Sequence, residues 1–478
     1  MRPPGIGCVF VPTLLPFLRE AGNALSVVEV EPQTLWELSR AGGEPDYRLN
    51  RRRFDELVAL PYYKLAHSVG MPVGGSRGPE AAQVRLLRSM LPLLGSPWAS
   101  DHLSFNAFLD DEGWKGAGFF LPPRQTADGV QLAARNLRSL AAELELPIAF
   151  ETGVNYLRPR RDELSDGAYF SEVAAAADCG ILLDLHNLWV NECNGRCKVD
   201  DVIAALPLER IWEIHVAGGT DYMGHRLDAH SGAVPDAVWE LAATWIPQMP
   251  NLGALIFEVL DEHAERLGTE GVRNQLEQMR RLWMSREPTK NLLVSSPAGG
   301  FDQVASQDVP RAIKDWEATL GRLAIGWEAP SDLAATLQDD PGVGLFRHLV
   351  LEARSGLIAI GLRHTTTLLL LTLGSAAVER LISAFAAETA PELYAVAESD
   401  AFASFLARQA LRIPFLDEVL GLEHALIRAA FCGQTTTVAF THDPAEVLSC
   451  LERGRLPDEC ASLCTQVVIS AAIAAPAG

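Results

Sequence analysis

The feature that most constrains this chain is a unit that recurs along residues 1–285: a short apolar, β-rich run ending in an acid or a histidine, then a helix-like segment. Eight such runs can be read: Gly5–Val11, Ser26–Glu31, Tyr62–His67, Ser96–His102, Pro147–Glu151, Gly180–Asp184, Arg210–His215 and Ala254–Glu258. Between them, Gly129–Leu146, Phe170–Asp178 and Asp236–Gln248 carry apolar residues at helical spacing. Apolar runs alternating with helices predict a parallel sheet covered by helices. Eight of them in a row fit a closed (β/α)8 barrel of the triosephosphate-isomerase (TIM) type better than an open sheet.

With 478 residues the chain is too long for one core, so a second unit is expected. Residues 286–308 contain Ser-Ser-Pro and Gly-Gly, lack periodicity and read as a linker. Beyond it, 309–478 is helical in pattern over Pro310–Leu323, Leu345–Ala353, Ala376–Glu388 and Ala401–Arg412. Thr435–Phe440 reads as a strand and Asp443–Arg453 as a short helix opened by Asp-Pro. The predicted fold is therefore α/β: a (β/α)8 barrel over 1–285, then a smaller, mainly helical α+β domain.

Charge narrows the function. The 61 acidic against 40 basic side chains give a net −21, which repels nucleic acid phosphates. No stretch reaches the ~18 apolar residues that span a membrane. The greasiest run, Thr367–Gly374, is short and reads as a buried strand or helix. The opening MRPPGIGCVFVPTLLPFL is broken by Pro12 and Pro16 and makes a poor signal peptide. The eight cysteines, including the C-x3-C pairs Cys193/Cys197 and Cys460/Cys464, read as thiols of a reducing cytoplasm.

Barrel enzymes carry their catalytic groups at the C-terminal ends of the strands, where the βα loops form the mouth. Here those ends hold Glu29 and Glu31, His67, His102, Glu151, Asp184 with His186, His215 and Glu258, and Asp228 and His230 fall in the segment after the seventh run. Crowding so many carboxylates and imidazoles without a counter-charge costs several kcal/mol. Metal cations remove that cost and keep the carboxylates ionised. Strand alternation puts Asp184 and His186 on one face, because residues two apart point the same way, and Asp228 and His230 do likewise if that segment is extended. Imidazole and carboxylate without cysteine suit iron, manganese or zinc. The set exceeds the needs of one ion, so two or three ions are expected, with open positions for substrate.

Taken in order, LAHSVGMPVG (65–74), SDHLSF (100–105), FETGVNYL (150–157), GILLDLHNLWVN (180–191), LPLERIWEIHVA (206–217), DAHSGAV (228–234) and IFEVLD (256–261) resemble the multinuclear non-heme iron-dependent oxidative enzymes, formerly an uncharacterised barrel family. The resemblance implies two or three irons of mixed Fe(II)/Fe(III) state and dioxygen as co-substrate. It also implies a ribosomally made precursor peptide as substrate, modified at cysteine or sometimes at another residue. Carried over, His67, His102, Glu151, Asp184, His215, Asp228, His230 and Glu258 become catalytic metal ligands. His186 joins them where many relatives have Asn, and Asn187 would hold a ligand by a hydrogen bond. Glu29 and Glu31 remain open between outer ligands, bases, peptide contacts and carboxylates hydrogen-bonded at the rim.

This chain departs from the family pattern at Thr152, where Asn is usual, and at Gly218 and Gly219, where a polar residue is usual. Phe402–Arg428 resembles the helical part of the family's leader-binding partner proteins. The C-terminal domain then recognises the peptide, with Thr435–Phe440 as the edge strand, or a separate leader-binding partner does so. Otherwise it stabilises or dimerises the barrel. The competing reading is a divalent-metal sugar isomerase or epimerase. Such an enzyme usually shows a lysine near the metal, whereas Lys64 lies three residues before His67 and points the opposite way.

Overall fold

The computed structural model describes residues 4–286, 309–458 and 460–470. Eight parallel strands close into a barrel: β1 (Gly5–Val9), β2 (Val27–Val30), β3 (Tyr63–Ser68), β4 (Ala99–His102), β5 (Ile148–Glu151), β6 (Gly180–Asp184), β7 (Ile211–Ala217) and β8 (Ala254–Glu258). Neighbours follow sequence order, and β8 pairs with β1 through Gly5 opposite Ala254 and Cys8 opposite Phe257. All eight expected runs are strands, trimmed or extended by up to a few residues at their ends.

The helices outside the barrel form for local reasons. Ala127–Leu144 is capped by Thr126, whose hydroxyl accepts from Gly129 N, and it buries Val130, Ala133, Leu137, Leu140 and Leu144 on one stripe. Asp166–Ala177 is capped the same way by Ser165. The lower barrel interior is closed by Val27, Leu65, Trp98, Ala149, Leu182, Trp212, Ala254 and Ile256. Gly180 is required there: a Cβ on it would come within 2.1 Å of the Trp212 ring.

Three antiparallel hairpins follow β2, β4 and β7 and rise around the mouth: Trp36–Ser39 with Asp46–Leu49, Phe105–Asp110 with Gly113–Leu121, and Thr220–Tyr222 with His225–Leu227. The second braces the C-terminal region. Its Phe105, Phe108 and Leu121 pack with Trp316, Leu320 and Phe346 of the helices Arg311–Ala324 and Pro341–Gly361. Beside them, buried Glu317 accepts hydrogen bonds from Ser76 N, at 2.7 Å, and from the Ser76 hydroxyl.

The C-terminal region is helical as expected, with longer elements. Pro341–Gly361 extends well past the expected 345–353, and Ala395–Arg408 starts earlier and stops sooner than 401–412. The strand Thr436–His442 gains an antiparallel partner, Ser462–Ile469, which the sequence reading lacks. The greasy run lies in the helix Arg363–Leu373, which buries Leu368 and Leu369 but leaves Leu370, Leu371 and Leu373 exposed. No single helix among the described residues is long and apolar enough to cross a membrane. Apart from Arg286, the expected 286–308 linker lies outside the described residues.

Candidate metal centre

Seven of the nine expected ligands stand at strand ends or just beyond them and converge in the barrel mouth with Asp228 and His230. Glu151 is central. One of its oxygens, Oε2, faces His67 Nε2 at 3.2 Å and His102 Nε2 at 3.0 Å. Its other oxygen lies 3.8 Å from His215 Nδ1, which in turn meets Glu258 Oε2 at 3.1 Å. Two groups of side chains follow, His67–His102–Glu151 and Glu151–Asp184–His215–Glu258, sharing Glu151, and in each one ligand atom per residue lies within 4.8 Å of the others. A third set sits nearer the rim. Asp228 Oδ1 lies 3.1 Å from both His186 Nδ1 and His230 Nε2, and His230 Nε2 is 3.4 Å from Glu258 Oε2.

Two expectations need correcting. His186 is not on the strand with Asp184. The chain turns helical at Leu185 because the Asp184 carboxylate caps it, accepting from Asn187 N at 2.8 Å, so His186 reaches the site from a helical first turn. Nor is Glu29 at the rim: it is fully buried beneath the cluster, and His215 Nε2–H donates to Glu29 Oε2 at 2.9 Å. That bond leaves Nδ1 facing the centre. Glu31, in contrast, lines the cavity above. Asn187 Nδ2 donates to Thr152 O at 3.3 Å and reaches Glu151 Oε1 at 3.5 Å.

Other residues were not singled out in the sequence. Ser100 bonds His67 Nδ1 at 2.9 Å, Trp98 Nε1–H donates to the buried Glu213 at 2.9 Å, and the Tyr156 hydroxyl accepts from Asp228 N at 3.1 Å. Phe120 stacks on His102 with ring centroids 4.1 Å apart. Ser100 and Glu213 sit two residues before His102 and His215, so strand alternation could have found them. Tyr156 and Phe120 come from loops and hairpins and left no periodic signal. The departures from the family pattern also acquire roles. The Thr152 hydroxyl accepts from Asp184 N at 3.0 Å. At Gly219 a Cβ would lie 2.7 Å from His186 Nε2 and 2.3 Å from Leu227 O, so the His186 ring occupies space that a side chain there would need.

The electrostatics fit bound cations. Burial, then the charges of Glu258, Glu151 and Asp228, push the Asp184 carboxyl well up. Burial works against a charged His67, yet the hydrogen bond and charge of Glu151, with the charge of Glu29, hold it at about 10. His215 and His230 are raised against burial in the same way by their carboxylate neighbours. Burial, then the Glu29 charge, lifts Glu213 to about 8. Glu151 Oε2, Asp184 Oδ2, His215 Nδ1, His230 Nε2 and Glu258 Oε2 are buried without a hydrogen bond of ordinary geometry. Such orphaned nitrogen and carboxylate oxygen atoms, turned on one another, are the donor set that iron, manganese or zinc takes. A cavity of about 320 Å³ opens above them, lined by Glu31, His67, His102, Glu151, Asp228, His230 and Glu258.

A closed parallel barrel with a buried histidine–carboxylate cluster at the C-terminal ends of its strands defines a TIM-barrel protein with a candidate metal centre in its mouth. Residues 6–267 match the family described as RiPP precursor modification enzyme MbnB/TglH/ChrH, and the chain belongs to that family. It is 30% identical over 245 residues to a UPF0276 protein of Anaeromyxobacter sp. strain Fw109-5, covering 50% of this chain and 82% of that one. A UPF0276 protein of Chromobacterium violaceum is 31% identical over 231 residues, covering 47% and 77%. Among solved structures, a D-psicose 3-epimerase from Clostridium cellulolyticum H10 aligns with TM-score 0.38 and 9% identity, over 58% of this chain and 99% of the other. A xylose isomerase domain containing protein of Salmonella typhimurium LT2 aligns with TM-score 0.38 and 10% identity, over 59% and 97%.

Proposed function

We propose that the protein is a non-heme iron oxidoreductase that uses dioxygen to modify a ribosomally made precursor peptide, with cysteine as the reacting residue. The observation that carries this reading is the shared Glu151 between two buried ligand groups, with a third set at the rim, in a chain of a precursor-modifying family. His67, His102 and Glu151 would hold one iron, Asp184, His215 and Glu258 a second, and His186, Asp228 and His230 a third where three are present. When bound, iron supplies the one-electron chemistry that couples dioxygen to the substrate.

The chain's own residues do the rest. Glu29 holds the His215 ring with Nδ1 toward the centre. Ser100 orients His67, and Asn187 steadies Glu151. Phe120, stacked on His102, keeps water from one side of the cavity. Glu31 lines the same cavity and offers its carboxylate to the proton that an entering thiol must lose. The barrel, residues 1–285, carries the chemistry. The region 309–478 recognises the precursor, and the free edge of the two-stranded sheet Thr436–His442/Ser462–Ile469 is where its leader would add a strand. Where that edge does not serve, a separate leader-binding partner takes its place.

The isomerase reading loses its lysine: Lys64 Nζ is held by the carbonyls of Val58 and Leu60, at 3.1 and 2.5 Å. The deciding experiment incubates iron-loaded protein with cysteine peptides in air. Dioxygen uptake coupled to a mass change in the peptide, absent in zinc-loaded protein, is the expected result. Sugar interconversion that proceeds equally with manganese and without dioxygen would overturn it.

A further inference from the structure

The metal cavity is not a closed chamber. Val69, Phe119 and Phe120 line it and also line a second, larger groove of about 800 Å³. One wall of that groove is the hairpin Phe105–Leu121 with the loop that follows β3. The other is the segment 388–394 of the C-terminal region. The C-terminal region therefore supplies one wall of the groove, which adjoins the metal cavity across Val69, Phe119 and Phe120.

Its chemistry is specific. The charges along it are largely paired within the chain: Arg40 with Glu392 at 3.5 Å, Lys115 with Glu112 at 3.0 Å, and Glu80 with the Tyr47 hydroxyl at 2.9 Å. Arg77 also lines the space, exposed, with its guanidinium 5.9 Å from the centre of the Trp114 ring. Among the apolar side chains Trp114 is 41% exposed and Leu393 48% exposed, large residues that bury their faces when a partner is available. The inner cavity has room for a side chain or a small molecule, whereas the groove adds space of the order that takes a much larger ligand.

We propose that this groove binds the stretch of substrate peptide that flanks the reacting residue, and that it selects sequence carrying aromatic, leucine or proline side chains. The proposal rests on the peptide-modification reading above. It assigns specificity to Trp114 and Leu393, outside the metal centre, and gives the C-terminal region a task beyond holding a leader. The walls shared with the metal cavity make the flanking peptide the occupant, since a residue delivered to His102 brings its neighbours to Phe119 and Phe120, which line both spaces.

The test uses the full chain, iron-loaded and kept anaerobic, with fluorescein-labelled decapeptides holding one cysteine. One set carries Trp, Leu and Pro beside the cysteine and the other carries Gly and Ser. The first set should bind at least tenfold more tightly. Trp114→Ala should remove that advantage, and so should Gly78→Trp, because Gly78 lines the groove and a Cβ on it meets nothing within 4 Å. Wild-type iron content in both variants shows that the barrel is intact. Equal affinity for the two sets, or an advantage that survives both substitutions, overturns the groove. N-acetylcysteine methylamide, added to the wild type, separates the two readings. If it perturbs the iron spectrum while flanking sequence has no effect, the groove alone fails. If flanking sequence binds through Trp114 but no thiol perturbs the iron, the groove stands and the cysteine chemistry fails.

Discussion

One step along the same strands takes the barrel interior from hydrocarbon to charge. Val27, Leu65, Trp98, Ala149, Leu182 and Ile256 form the lower plug, and two residues further on stand Glu29, His67, Ser100, Glu151, Asp184 and Glu258. Successive inward positions are about 6.6 Å apart along a strand. The lower layer gains by excluding water. The upper layer, equally buried, gathers carboxylates and imidazoles that repel or half-neutralise one another and leave ligand atoms orphaned. The difference teaches a division of labour: the plug holds the cylinder closed so that the mouth can keep a cluster that is costly without cations.

This comparison can be broken or sharpened by experiment. Glu258→Ala carries the largest effect: activity falls to background and iron content drops, while the circular dichroism of the barrel is retained. Full iron occupancy would break the assignment of the mouth. Trp98→Ala is the opposite case. Trp98 is fully buried against Trp212, and its loss should destabilise the protein by about 3–5 kcal/mol in denaturant unfolding while the folded fraction keeps its iron. Iron lost without a change in stability would mean that the two layers are not separable.

The pH response comes next and has a definite sign. In the metal-free chain His67 sits at about 10, above its ordinary 6.5, so its pairing with Glu151 stabilises fully below about pH 6.5 and fades as pH rises toward 10. A cation must displace that proton, so metal affinity should climb with pH across 6–8, by up to about tenfold per unit for each proton released. Isothermal titration in buffers of different ionisation enthalpy counts the protons, and an affinity flat with pH would contradict the account. The smallest effect is expected from Glu29→Gln, which keeps an acceptor for His215 but removes its charge: about tenfold weaker metal binding, measured by chelator competition, with thermal stability little changed.

The barrel was legible because each strand carries its own apolar run and its own terminal acid or histidine. The positions that converge in the mouth were legible for the same reason, since a closed barrel leaves strand ends nowhere else to gather. What escaped has physical causes. Asp184 ends its strand by capping a helix, so alternation did not apply to His186. Glu29 and Glu31 look alike in sequence, yet one is sealed under His215 and the other faces the cavity. The hairpin Phe105–Leu121 was missed although Asp-Asp-Glu-Gly divides two alternating stretches, because its strands serve the mouth and the C-terminal helices rather than the barrel. The partner strand Ser462–Ile469 is mostly exposed and lacks an apolar run strong enough to announce it.

The central claim is that this mouth holds a cluster of redox-active iron, and the most direct test is the metal content of protein purified without oxygen, with Mössbauer spectroscopy on iron-57-enriched material. The account predicts two or three irons per chain, with ferrous and ferric signals together that change when dioxygen is admitted. A single zinc or manganese per chain, with no bound iron and no response to oxygen, would contradict it.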